Sequence, residues 1–170
     1  MTTTGFEALD KMVEISPGDM ICIASRPSMG KSSLMKDIAS HCVGDGVVFW
    51  VDLQRSEKNF EKLFIAQLSN PDIRYIGPEE SESLKLFDKI MRSLSKAENT
   101  YLFIDNIELF YQEEVYEKLH DLKKFAVKKN IIVFFTTKIS PEVLKRPGHR
   151  PRLEDIGEGQ QNLSDKIFFL

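Results

Sequence analysis

The chain has little cysteine, a single tryptophan, no excess of positive charge and no long apolar run. Of its 170 residues only Cys22 and Cys42 are cysteine. One falls in an apolar stretch and the other near the end of a helix-like stretch. Their spacing gives neither a disulfide framework nor a metal-ligand pattern, so both read as reduced structural thiols. With 23 Lys and Arg against 26 Asp and Glu the net charge is −3. That balance excludes a surface that binds nucleic acid everywhere, while leaving room for a local basic patch. No apolar run is long enough to span a bilayer. Met1-Thr2-Thr3-Thr4 is not followed by the basic-then-apolar pattern of a signal peptide. Cytoplasmic residence without a membrane partner is the expectation. His41 and His120 belong to no ligand cluster and read as ordinary surface or core histidines.

What is there is a regular alternation of strand and helix patterns, with no linker, low-complexity segment or repeat. A chain of this length suits one domain over residues 1–170, burying roughly 70% of its unfolded surface. Apolar runs at Met20-Ile21-Cys22-Ile23-Ala24, Val47 to Leu53, Tyr101 to Asp105 and Ile131 to Thr137 predict strands. Shorter ones are predicted at Ile73 to Ile76 and Lys166 to Leu170. Helices are predicted from Ser32 to Val43, after an N-cap at Ser56 (Phe60, Leu63, Phe64 and Leu68 inward), around Leu84, Phe87, Met91 and Leu94, and from Glu113 to Lys128 (Val115, Leu119, Leu122 and Ala126 inward). Asn70-Pro71 and Gly77-Pro78 punctuate them. The order predicts an α/β domain with a mostly parallel sheet flanked by helices.

Residues 25 to 32, Ser25-Arg26-Pro27-Ser28-Met29-Gly30-Lys31-Ser32, form a phosphate-binding loop in all but the first position. A bare Gly-Lys-Ser at a helix start is common, but here a strand precedes it and a helix follows. Such a loop turns its backbone amides onto an anion, and the helix starts there with unpaired N–H groups and the positive end of its dipole. Ser28, Met29, Gly30, Lys31, Ser32 and Ser33 are therefore candidate nucleotide-binding residues. Lys31 would reach the β- and γ-phosphates and Ser32 would give a hydroxyl to Mg²⁺. Ser25 stands where Gly or Ala is usual, and it is small enough to keep the loop. Asp105 ends the apolar strand Tyr101-Leu102-Phe103-Ile104-Asp105. Turns favour Asp in any α/β protein, but paired with this loop it becomes the second candidate Mg²⁺ residue. ATP or ADP with Mg²⁺ is the expected ligand.

Thr4-Gly5-Phe6-Glu7-Ala8-Leu9-Asp10, Pro17-Gly18-Asp19 and Arg26-Pro27-Ser28-Met29-Gly30-Lys31 together resemble the opening of the motor domain of replicative hexameric DNA helicases of the DnaB type. Asp105-Asn106-Ile107-Glu108-Leu109 resembles the stretch after that family's Mg²⁺-site strand. Arg150-Pro151-Arg152-Leu153-Glu154-Asp155 resembles a later segment. The resemblance is sharp over residues 4 to 35, fair over 101 to 109 and loose elsewhere. It implies a RecA-like P-loop NTPase core, ATP as ligand and ancestry in DNA unwinding. The Thr-Gly-Phe and Pro-Gly-Asp openings recur in clock-protein ATPases and recombinases, and Arg26-Pro27-Ser28-Met29 argues against those branches.

The departures bear on chemistry. Where the family has a Glu that activates the attacking water, aligning Ser56 puts Gln54, which cannot accept a proton. Asp52 lies two residues back on the same strand face, about 6.6 Å deeper by strand rise. A slipped alignment would make Asp52 the base instead. Glu108 is three residues beyond Asp105 rather than adjacent, so it does not match the other common acidic pair. The family's γ-phosphate-sensing Gln reads Thr137, with a shorter reach. The family's arginine finger lies beyond the position of Leu170 and its collar precedes the motor domain. The expectation is therefore a truncated relative, a monomer or weak oligomer with impaired hydrolysis.

Lys138, Lys145, Arg146, His149, Arg150 and Arg152 fall within fifteen residues and could contact phosphates of single-stranded DNA without reading sequence. No aromatic is interleaved for stacking, and a solvated proline-rich connection fits the same residues. Two functions follow. One is a helicase motor domain binding MgATP in replication. The other is a non-hydrolysing nucleotide-binding regulator or partner of replication proteins.

Overall fold

The computed structural model describes residues 3–52, 73–77, 83–96, 99–110 and 113–170. The helix expected after Ser56, the Asn70-Pro71 break and Gln54 lie outside the described residues. Six strands form one sheet: β1 (Met20–Ser25), β2 (Val47–Asp52), β3 (Ile73–Ile76), β4 (Thr100–Asp105), β5 (Ile132–Lys138) and β6 (Lys166–Phe169). Their order across the sheet is β3-β2-β4-β5-β1-β6, and every neighbouring pair is parallel. β1 and β4 are buried along their whole length, as expected where helices cover both faces of a parallel sheet. That double cover explains why these strands read as continuous apolar runs rather than alternating ones.

The helices are α1 (Glu7–Met12), α2 (Lys31–Cys42), α3 (Ser83–Leu94), α4 (Glu113–Lys129) and α5 (Glu158–Leu163). On one face α2 packs Met35, Ile38, Ala39 and Cys42 against Ile21, Ile23, Trp50, Phe103 and Phe134. On the other, Phe87, Ile90 and Leu94 of α3 and Leu119, Leu122 and Ala126 of α4 cover Cys22, Phe49, Leu102, Ile104 and Phe135. Phe87, Leu94, Leu119, Leu122 and Ala126 are inward positions the 3.6-residue spacing predicts, whereas Ile90 is buried where Met91 was expected and Met91 is only partly buried. The short helices α1 and α5 were not expected. At six residues each they are too brief to show a periodic apolar face.

The two cysteines are buried and unpaired with each other, and burial pushes both thiols up to about 12. Among the described residues no helix is long and apolar enough to cross a membrane. Because β1 leads into α2 on one face and β4 leads toward α4 on the other, the connections diverge above the carboxyl ends of β1, β5 and β4. In open parallel sheets ligands bind in such a crevice.

Candidate nucleotide site

Loop and helix are set by two left-handed residues. Ser28 has φ 62° and Gly30 has φ 89°, and Gly30 is the N-cap of α2. A side chain is strained at such φ values, which suits Gly, while Ser28 stands there as an uncommon non-glycine residue. No side chain caps α2, so the amides of its first turn remain available to an anion. Pro27, Ser28, Gly30, Lys31, Ser32 and Ser33 line one side of a cleft of about 470 Å³, and Asp105, Asn106 and Lys138 line the other.

Lys31 folds back to the start of the loop. Its Nζ donates to Ser25 O and Ser25 Oγ at 3.1 Å each and to Arg26 O at 3.0 Å. Burial lowers its pKa, against the charges of Glu108 and Asp105, which act to raise it, and that of Lys138, which lowers it further. The departure from consensus at Ser25 thus gives the lysine an extra hydroxyl acceptor.

Across the cleft, Asp105 is buried at the end of β4, and its Oδ1 accepts from Thr136 Oγ1 at 2.7 Å. Asn106 Oδ1 accepts from the Glu108 amide at 3.0 Å and starts the 3₁₀ turn Ile107–Phe110. That turn swings Glu108 over the end of β5. Its Oε1 accepts from Thr137 Oγ1 at 2.8 Å and from the Lys138 amide, while Oε2 is buried with no hydrogen-bond partner. The three-residue offset from Asp105 therefore moves Glu108 one strand over, to the end of β5 beside the cleft but outside its lining. Among the described residues no three His, Cys, Asp or Glu side chains form a metal cluster. A Ser hydroxyl plus one carboxylate fits Mg²⁺ that completes its shell with phosphate and water oxygens, so Ser32 and Asp105 are the residues that would hold it.

The remaining expected residues are dispersed. Met29 is 47% exposed and its side chain is not in the cleft lining. Asp52 is fully buried in register with Asp105 on the neighbouring strand, also outside that lining. Lys138, expected as a DNA contact, lines the same cleft as Lys31 and Asp105. The rest of the basic segment is largely paired. Arg146 bonds both carboxylate oxygens of Asp155 and reaches Glu154 at 3.3 Å. Lys145 pairs with Glu142 at 2.8 Å, and Arg152 with Glu154 at 3.4 Å. The sequence window that ended at Arg152 hid the two acids just beyond it. Asn106 and Pro27 were missed as lining residues because neither has a side chain diagnostic of phosphate binding.

A family model, the DnaB-like helicase C terminal domain, matches residues 2–120. A probable plasmid replicative DNA helicase of Chlamydia psittaci is 28% identical across 98% of this chain and 45% of its own length. The replicative DNA helicase DnaB of Helicobacter pylori (strain J99) is 28% identical across 71% of this chain and 24% of its own. The chain thus spans under half the length of these curated relatives. A DnaB-like replicative helicase, solved in a study of its interactions with primase, superposes with a TM-score of 0.80 at 22% identity, covering 99% of this chain and 51% of that one. With the family model matching most of its length, the chain belongs to the DnaB-like helicase C-terminal domain family, and the superposition gives it a RecA-like fold.

Proposed function

We propose that this domain binds MgATP or MgADP in the cleft between α2 and β4, as a motor-type domain linked to DNA replication and unwinding whose hydrolysis is impaired. The observation that carries the reading is the convergence of Lys31, Ser32, Ser33 and the uncapped start of α2 with Asp105 on one cleft of about 470 Å³. Ser32 and Asp105 would hold Mg²⁺, which neutralises phosphate charge. Lys31 would leave its carbonyl contacts for the β- and γ-phosphates. Slow turnover follows from Gln54 standing where a base is needed, and from Thr137, whose hydroxyl is already engaged by Glu108.

Titration of a fluorescent adenine nucleotide tests the binding. Lys31→Ala is expected to weaken it about ten- to a hundredfold, matching lost charge-assisted hydrogen bonds of about 1.5–3 kcal/mol. Equal affinities for wild type and variant would sink the site.

The second reading is a nucleotide-binding regulator or partner of replication proteins without useful turnover. The full burial of Asp52, beside Asp105 but not among the residues lining the cleft, favours it. Phosphate release with and without single-stranded DNA separates the two. Any contact of residues 138–152 with such DNA would fall first to Arg150, because Arg146 is committed to Asp155.

A further inference from the structure

We propose that Glu108 sets the preference of the cleft between nucleoside diphosphate and triphosphate, disfavouring the third phosphate. This inference rests on the nucleotide reading of the site and adds to it the class of ligand preferred.

The argument starts from the sheet register. β1 and β5 run side by side with Ala24 opposite Thr137 and Ser25 opposite Lys138. Lys31 Nζ rests on Ser25, and the Glu108 carboxylate rests on Thr137 and the Lys138 amide. The lysine that serves the β- and γ-phosphates and this carboxylate therefore occupy adjacent strand ends. Glu108 is also the largest charge contribution acting on Lys31, ahead of Asp105. Its Oε2 is shut away from water and has no hydrogen-bond donor, so its charge is poorly screened. Lys138 lines the same cleft, but its side chain is exposed and its charge is shared with solvent. Asp105, the other acid there, is the residue expected to face Mg²⁺. An additional phosphate at the loop end of the cleft would bring negative charge toward this half-buried carboxylate, which pairs with no cation among the described residues, whereas a diphosphate would leave that charge farther away.

The test is isothermal titration of the whole chain, in Mg²⁺, with ADP and with a non-hydrolysable ATP analogue. Glu108→Gln keeps an oxygen acceptor for Thr137 and the Lys138 amide while removing the charge. The expected result is a rise in triphosphate affinity on the order of tenfold, the scale of one partly screened charge–charge interaction, with ADP affinity moving less than about twofold. Glu142→Gln removes one acidic charge outside the cleft lining, where Glu142 pairs with Lys145, so it should leave the triphosphate-to-diphosphate ratio unchanged. A purely structural role for Glu108 would instead move both affinities together in Glu108→Gln. Should Glu108→Gln fail to fold, Glu108→Ala carries the same expectation for the ratio. An unchanged ratio in the folded charge-removing variant, while wild type still binds nucleotide through Lys31, overturns this assignment alone. Wild type binding neither nucleotide overturns both this assignment and the site itself.

Discussion

At the scale of single residues, the site is written by side chains that differ from the helicase pattern as much as by those that match. Lys31, Ser32 and Asp105 keep the pattern. Ser25 departs from it and gains a role, accepting from Lys31 at 3.1 Å. On the proposed function, Gln54 is the departure expected to have the largest chemical consequence. An amide can orient a water but cannot take its proton, and general-base catalysis is typically worth 10² to 10⁴-fold. Gln54→Glu should therefore raise the rate of phosphate release at least about tenfold over wild type in a steady-state assay. It should stop short of the full factor, because Thr137 remains held by Glu108. Brisk wild-type turnover that survives unchanged in Gln54→Glu and is lost in Asp52→Asn would assign the base to Asp52 and reverse the strand alignment.

At the scale of elements, the segment between β5 and α5 depends on one internal clamp. Two 3₁₀ turns, Pro141–Lys145 and Leu153–Asp155, are joined by Arg146, which bonds both oxygens of Asp155; the Arg152 amide donates to Asp155 Oδ2 at 2.7 Å. Ser140 N also donates to Asp155 O at 2.8 Å, tying the clamp to the end of β5. The hydrogen bonds from Arg146 hold the Asp155 carboxyl below its usual range, with the Arg152 amide acting in the same direction. A depressed folded-state pKa contributes stability that is present above the unfolded carboxylate pKa and lost as pH falls through the folded one. Asp155→Asn should thus melt below wild type at neutral pH, and the gap should narrow as the solution is acidified below about pH 4. A gap that stays constant down to pH 2 would mean that the clamp's charge contributes nothing. The exposed pairs of Lys145 and Arg152 are expected to matter little by comparison.

At the scale of the whole molecule, stability resides where the central strands meet α2. Phe103 is fully buried, stacked on Phe134 with ring centroids 4.9 Å apart and on Trp50 at 5.8 Å. These three residues sit on β4, β5 and β2, so one aromatic file crosses the middle of the sheet on the face that α2 covers. Phe103→Ala should cost about 3–5 kcal/mol through lost burial and the cavity left behind. Against a typical total of about 5–15 kcal/mol, that is a large share of the fold. Urea unfolding followed by the fluorescence of Trp50, the sole tryptophan, measures it. A loss under about 1 kcal/mol would show that the file is not a structural centre.

The sequence alone determined the described strands, helices α2, α3 and α4 and the left-handed turn that opens α2, because these follow from local rules. Apolar runs mark strands buried on both faces, 3.6-residue spacing marks α2, α3 and α4, and the glycine before Lys31 marks a left-handed turn at a helix start. Helices α1 and α5 were illegible because six residues cannot display a period. Strand order was equally hidden, since β4 and β5 insert between β2 and β1 only when the chain folds. That ordering brings Asp105 and Lys138 to the cleft opposite the loop, and Glu108 to the end of β5 beside it. Glu108 is the clearest case. Spacing along the chain set it apart from Asp105, whereas the turn at Ile107–Phe110 carries it across a strand end to Thr137 and the neighbourhood of Lys31. Charges in the basic segment behaved likewise: composition counted Arg146 as a free cation, and folding seated it on Asp155. Local propensity is encoded within a few residues, but which charges become neighbours depends on contacts between segments far apart in sequence, and only the tertiary structure decides those.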